Sequence, residues 1–187
     1  MRSAAERREV IGRSIERVRS TRGLIAASGI PCETVTGAGT GSFPVELASG
    51  VYDELQAGSY IFMDADYNRN EFDSAWPLFE RSLFVWTTVM SRPLPGRAVV
   101  DAGLKSVSVD SGLPQAWQRE GLECVSDSDE HFVFAIAPGA RAPSLGEKLL
   151  LVPGHCDPTV NLHDWFVCVR RGVAEALWPV TARGAIR

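Results

Sequence analysis

The sequence predicts a mixed fold, an α/β segment followed by a mainly antiparallel β region, on three observations. Apolar residues recur at helical spacing only from Ala4 to about Ala27. A short β-prone run then leads into a glycine-rich loop. After Tyr52, short β-rich runs separated by turn signals replace any helical period.

In the opening segment Ile11, Ile15, Val18 and Ile25 form one stripe, while Glu6, Arg7, Arg13, Glu16 and Arg17 fill the other face and Gly29 supplies the stop. The arginines read as a solvated face rather than an anion site. Pro31 opens the β-prone run 32–36, and the chain enters Gly37-Ala38-Gly39-Thr40-Gly41-Ser42. Beyond it, seven runs read as strands: 60–63, 83–90, 98–101, 106–109, 132–136, 148–152 and 165–169. Turn signals separate them at 93–96, 110–112, 138–139 and 170–172. The pattern implies an antiparallel sheet or small barrel, divided from the α/β part near residue 55, so that 1–55 and 56–187 are the expected domains.

Composition narrows the function. The 187 residues are 45% hydrophobic and 22% charged, with a net charge of -4, which describes a globular chain. Outside the first 22 positions no block of like charge occurs, so no nucleic-acid or anionic-lipid surface is marked, and no apolar run approaches the roughly 20 residues of a membrane span. The charged start, Met1 followed by Arg2, Glu6, Arg7 and Arg8, lacks the apolar core of a secretory signal. A cytoplasmic location is expected. Cys32, Cys124, Cys156 and Cys168 form no CxxC pair and read as reduced thiols. Lysine is rare: Lys105 and Lys148 are the only two, and the other 17 basic residues are arginine.

Two segments could carry chemistry. Backbone N–H groups of the glycine loop could cradle a phosphate, though the spacing matches neither the dinucleotide nor the Walker pattern and also fits a structural turn. The run from His155 to Asp164 holds two of the three histidines, two aspartates and a cysteine. If 155–157 is extended, His155 and Asp157 point the same way and can share a cation, leaving positions open for water and substrate. A nitrogen and oxygen set suits manganese, zinc or magnesium. The same residues also fit a turn in which Asp157 caps the next segment and the histidines are hydrogen-bonded. The acidic cluster 126–131 reads as a solvated loop, Asp101 and Lys105 as an ordinary ion pair, and Tyr60 and Tyr67 as packing residues.

Taken in order, the words 37–41, 54–60 with Met63-Asp64, Asp101-Ala102-Gly103-Leu104-Lys105, Asp129-Glu130-His131 and Pro153-Gly154-His155-Cys156-Asp157-Pro158-Thr159-Val160-Asn161-Leu162-His163-Asp164 resemble the C-terminal part of the D-threonine aldolase and D-serine dehydratase family. The resemblance implies a fold-type III pyridoxal phosphate enzyme of alanine racemase-like architecture, with 1–55 the terminal piece of a (β/α)8 barrel and 56–187 the β domain. By that likeness Gly39, Thr40 and Gly41 hold the cofactor phosphate, and His155 and Asp157 bind a divalent metal, manganese or zinc. Asp129 stands where an acidic residue near the metal and the substrate hydroxyl is expected, and His155 or its surroundings would serve catalysis. Related dehydratases carry cysteine where this chain has Asp157, so the aldolase reading is preferred: cleavage of a D-3-hydroxy amino acid to glycine and an aldehyde. The alternatives are a dehydratase portion, or a non-catalytic metal-binding or dimerising β module.

The family's cofactor lysine lies in the barrel, and neither Lys105 nor Lys148 matches it. A whole barrel takes roughly 250 residues. The chain as given is therefore expected to be the distal part of an enzyme, inactive without the barrel. Its partners would be a small-molecule substrate and either a second copy or the missing barrel half, with no nucleic acid and no membrane. The apolar stripe of the first helix is expected to be bared.

Overall fold

The computed structural model describes residues 1–74 and 76–185, which group into two compact units. The first comprises 1–63 and 67–82, the second 64–66 and the chain from 83 onward.

The first unit opens with α1 (Ala4–Ala27), which ends at Gly29 in the left-handed region, φ 74°. Its stripe is not bared as expected: Ile15 is buried and Ile11, Val18 and Ile25 are half-buried, because α1 packs against α2 within the unit. Then come β1 (Thr36–Gly37), α2 (Phe43–Ser49) and β2 (Glu54–Leu55). β1 and β2 pair in parallel, and parallel neighbours need a crossover, which α2 supplies. This is a small β-α-β unit. The strand expected over 32–36 shrinks to the β1 pairing. The one expected over 60–63 is a 3-10 turn, Ser59–Ile61, because Phe62 N–H and Met63 N–H both return to Ser59 O and Met63 takes φ 53°.

The second unit is built on β3 (Val85–Ser91), β4 (Arg97–Val100), β5 (Gln115–Ala116), β6 (Leu122–Asp127), β7 (Phe132–Ile136) and β8 (Lys148–Val152). They form one antiparallel sheet in the order β5-β8-β3-β4-β7-β6. The edge strands β5 and β6 are separated in sequence only by 117–121. Six strands laid flat would hold their edges about 24 Å apart, beyond the roughly 20 Å that such a link can reach. The sheet therefore rolls until β5 and β6 touch. Strand alternation fills the interior with Val89, Val100, Phe132, Phe134, Leu149 and Leu151.

The expected strand at 106–109 is absent because its polar groups are used otherwise. Ser106 and Val107 N–H turn back to Gly103 O, Ser108 N–H goes to the Thr159 hydroxyl, and Ser106 O meets His163 Nε2 at 2.8 Å. Nor do Asp101 and Lys105 pair with each other. Asp101 accepts the Thr87 hydroxyl and Thr88 N–H, both at 2.7 Å, and Lys105 pairs with Glu130 at 2.7 Å. After the short helix α3 (Cys156–Val160), β9 (Trp165–Arg170) and β10 (Val173–Pro179) make a separate antiparallel ribbon.

Two glycines fix the turns. A Cβ on Gly154 would overlap the Gly112 carbonyl, and one on Gly103 would overlap backbone atoms of 128–131. Gly154→Ala and Gly103→Ala should each destabilise by about 2 kcal/mol or more, whereas Gly12→Ala, in open space on α1, should stabilise by roughly 0.5–1 kcal/mol. Urea midpoints of the three variants check both signs, and an unchanged midpoint in Gly154→Ala would contradict the close approach.

A half-buried ion pair joins Arg119 of the 117–121 link to Glu147, whose other oxygen accepts Ser144 N–H. The Ser144 hydrogen bond, followed by Arg119, holds the Glu147 carboxyl below its usual range. A depressed carboxylate stabilises the fold above its unfolded value near 4.5, and that contribution disappears as pH falls through the folded value. Glu147→Gln should thus be less stable than the parent at pH 7 and converge with it under acid, as read by thermal melting across pH.

Candidate metal centre and phosphate loop

In the second unit the chain turns at Pro153-Gly154 and presents His155 as the N-cap residue of α3. His155 is extended, φ -145° and ψ 124°, but Asp157 already lies in the first helical turn. The wholly extended 155–157 of the sequence reading is therefore replaced by a strand-to-helix corner. The side chains still meet: His155 Nε2 lies 3.5 Å from Asp157 Oδ2.

The corner is pinned from two sides. Ala65 N–H and Asp66 N–H donate to Pro153 O and Gly154 O, and the buried Asp64 accepts Cys156 N–H at 3.2 Å. The Thr159 hydroxyl donates to His155 O at 2.8 Å and accepts Ser108 N–H at 3.1 Å. Through this joint the 108–112 turn brings Asp110, a residue the sequence reading missed, to His155: Nδ1 stands 2.7 Å from Asp110 Oδ2. A carboxylate only accepts, so Nδ1 carries the hydrogen and Nε2 faces Asp157.

Electrostatics agree with this orientation. The Ser108 hydroxyl, then His155, hold the Asp110 carboxyl down at about 2. Burial pulls the His155 imidazole down, but Asp110, Asp157 and Asp64 outweigh it, and its value ends above the ordinary one.

The donor set fits a divalent cation. Tetrahedral ligands at zinc distances lie about 3.4 Å apart, close to the observed 3.5 Å between Nε2 and Oδ2. A ligand histidine usually gives its other N–H to a carboxylate, as His155 does to Asp110. Among the described residues no third His, Cys, Asp or Glu completes a cluster. A cation here would keep positions open for water and substrate.

Asp129 is not brought into this group. It sits in the exposed turn after β6, its carbonyl accepting Lys105 N–H, and among the described residues no hydrogen bond or ion pair joins its side chain to His155 or Asp157.

In the first unit the glycine loop follows β1. Gly39 O accepts Ser42 and Phe43 N–H, and Gly39 N–H donates to Ser42 Oγ at 3.3 Å. Thr40 turns its hydroxyl inward, where it accepts Tyr60 N–H at 3.0 Å. Tyr67 packs against Gly41, and Tyr60 meets the Phe79 ring at a 54° tilt with centroids 5.3 Å apart, as expected of packing residues. Among the described residues the N–H groups of Thr40 and Gly41 have no partner, and a Cβ on Gly39 would meet open space. Consecutive free N–H groups beside an open face fit a phosphate oxygen.

No described helix is long and apolar enough to cross a membrane.

Residues 82–169 match the family model described as a putative serine dehydratase domain. A D-threonine aldolase of Arthrobacter sp. is 52% identical over all of this chain and 49% of its own length. A 3-hydroxy-D-aspartate aldolase of Paracoccus denitrificans (strain Pd 1222) is 46% identical over 98% of this chain and 48% of its own. Among solved structures, the D-threonine aldolase of Filomicrobium marinum superimposes with a TM-score of 0.96 at 46% identity, covering 100% of this chain and 51% of that one. The chain thus spans about half the length of the relatives it matches. Its motifs, its rolled antiparallel sheet and these likenesses agree: residues 82–169 are a D-serine dehydratase-like domain, in a chain similar along its whole length to about half of a D-threonine aldolase.

Proposed function

We propose that this chain is the C-terminal part of a pyridoxal phosphate and divalent metal-dependent lyase that cleaves D-3-hydroxy amino acids to glycine and an aldehyde, with 1–55 the end of its barrel. The observation that carries the reading is the pairing of His155 Nε2 with Asp157 while Asp110 holds Nδ1. When bound, pyridoxal phosphate supplies an electron sink for Cα–Cβ cleavage and the cation a Lewis acid for the β-hydroxyl.

The chain's own residues then have separable tasks. Asp110 keeps the imidazole in the tautomer whose Nε2 can ligate, and Asp157 adds a hard oxygen donor. The Thr159 hydroxyl and the buried Asp64 fix the angle at which the two ligands leave the backbone. Thr40 and Gly41 N–H hold the phosphate, with Gly39 leaving it room. Asp129, on a solvated turn, would reach the substrate hydroxyl only in the assembled enzyme. The substrate class is a small D-3-hydroxy amino acid, since relatives are named for D-threonine and 3-hydroxy-D-aspartate.

The lysine inventory supports inactivity of the chain as given. Lys105 is exposed and paired with Glu130, and Lys148 on β8 donates to the Thr88 hydroxyl at 2.6 Å. Neither falls at the family's cofactor-lysine position. The dehydratase alternative is favoured by the matching family model and differs in its products, a keto acid and ammonia.

Calorimetry with manganese should find about one ion per chain, with His155→Ala and Asp157→Ala each weakening it by at least roughly tenfold and Asp110→Asn by about 10- to 100-fold. Unchanged affinity in both ligand variants would sink the site. Borohydride trapping with pyridoxal phosphate, mapped by mass spectrometry, should mark neither lysine stoichiometrically. Co-expression with the part of the Arthrobacter aldolase that this chain does not cover should yield glycine from D-threonine, and the chain alone should yield none. Keto acid in place of glycine would transfer the assignment to the dehydratases.

A further inference from the structure

The glycine loop is braced from behind by a carboxylate that the phosphate reading does not use. Glu46 on α2 is only 5% exposed, and its Oε1 accepts the Ser42 hydroxyl hydrogen at 3.1 Å. That same hydroxyl oxygen accepts Gly39 N–H at 3.3 Å. Among the described residues, Glu46 Oε2 has no hydrogen-bond partner and no lysine or arginine pairs with the carboxylate.

Ser42 occupies the N-cap position of α2, where serine ordinarily caps its helix. It makes no side-chain cap bond. The hydroxyl is diverted to the loop, and Glu46, one turn further along, is the acceptor that holds it there. An unpaired buried carboxylate is costly. Burial accordingly pushes the Glu46 carboxyl above the usual range, with the Ser42 hydrogen bond opposing only in part. An amide or a protonated acid can also accept at Oε1.

We propose that Glu46 is a positioning residue for an anion at the loop: by accepting the Ser42 hydrogen it turns the Ser42 lone pair onto Gly39 N–H and leaves Thr40 and Gly41 N–H as donors to a phosphate monoester. The inference rests on the phosphate reading of that loop. It requires an acceptor at Oε1 rather than a negative charge, so glutamine should serve and leucine should not.

The 187-residue chain can be titrated with pyridoxine 5′-phosphate, which lacks the aldehyde that modifies lysines, while hydrogen exchange at the Gly39 amide is followed by NMR. Glu46→Gln should bind within about twofold of the parent and keep Gly39 protected, whereas Glu46→Leu and Ser42→Ala should each bind roughly tenfold more weakly and expose it. Thermal melting identifies a variant that fails to fold. Ser42→Ala, which deletes one hydroxyl outside the core, then carries the test. Parent binding that the leucine and alanine variants leave unchanged would overturn the positioning role alone, as would a glutamine variant as weak as the leucine one. Absence of binding by the folded parent would overturn the phosphate reading of the loop and this role together.

Discussion

Backbone pressed directly against backbone, Gly154 on the Gly112 carbonyl, is the constraint on which the candidate metal centre depends. With no Cβ between them, the turns 108–112 and 153–157 sit close enough for Asp110 to reach His155. The Thr159 hydroxyl, bonded to both turns, then locks their spacing. Asp64 adds a third strand of chain, accepting Cys156 N–H across 92 positions of sequence. A side chain at Gly154 would separate the imidazole from its orienting carboxylate before it touched a ligand.

Two carboxylates in this protein are tuned in opposite directions, one by the donors around it and the other by burial. Asp110 receives two serine hydroxyls and an imidazole and is held far down. Burial pushes Glu46 up, and the one hydroxyl that it receives offsets this only in part. Each direction suits its place: a carboxylate held down orients a histidine, and one in which burial disfavours the negative charge stands behind a loop proposed to hold an anion.

Apolar surface is distributed unevenly. The rolled sheet buries its own core, and α1 keeps its stripe partly covered within the first unit. The β9–β10 ribbon instead exposes one face, where Trp165 opposes Pro179 and Val167 opposes Leu177. A two-stranded ribbon gains little stability by itself.

The sequence alone determined α1 and its glycine stop, the change from helical to β character, five strands of the second unit, and the two candidate segments, since these depend on local periodicity, turn chemistry and residue type. The runs 60–63 and 106–109 look equally β-prone, yet their N–H and C=O groups are claimed by Ser59, Gly103, Thr159 and His163, and no local pattern announces such partners. Asp110 reads in sequence as an ordinary turn residue beside Ser111-Gly112. Glu46 reads as one acid on a short helix. Glu46 reaches Ser42 within one helical turn, and what the tertiary structure decided there is its burial. Only the tertiary structure made Asp110 the partner of a histidine 45 positions away, because a hydrogen bond's donor is chosen by which turns the fold brings together, and here that choice lay with Gly154, which lets two backbones touch.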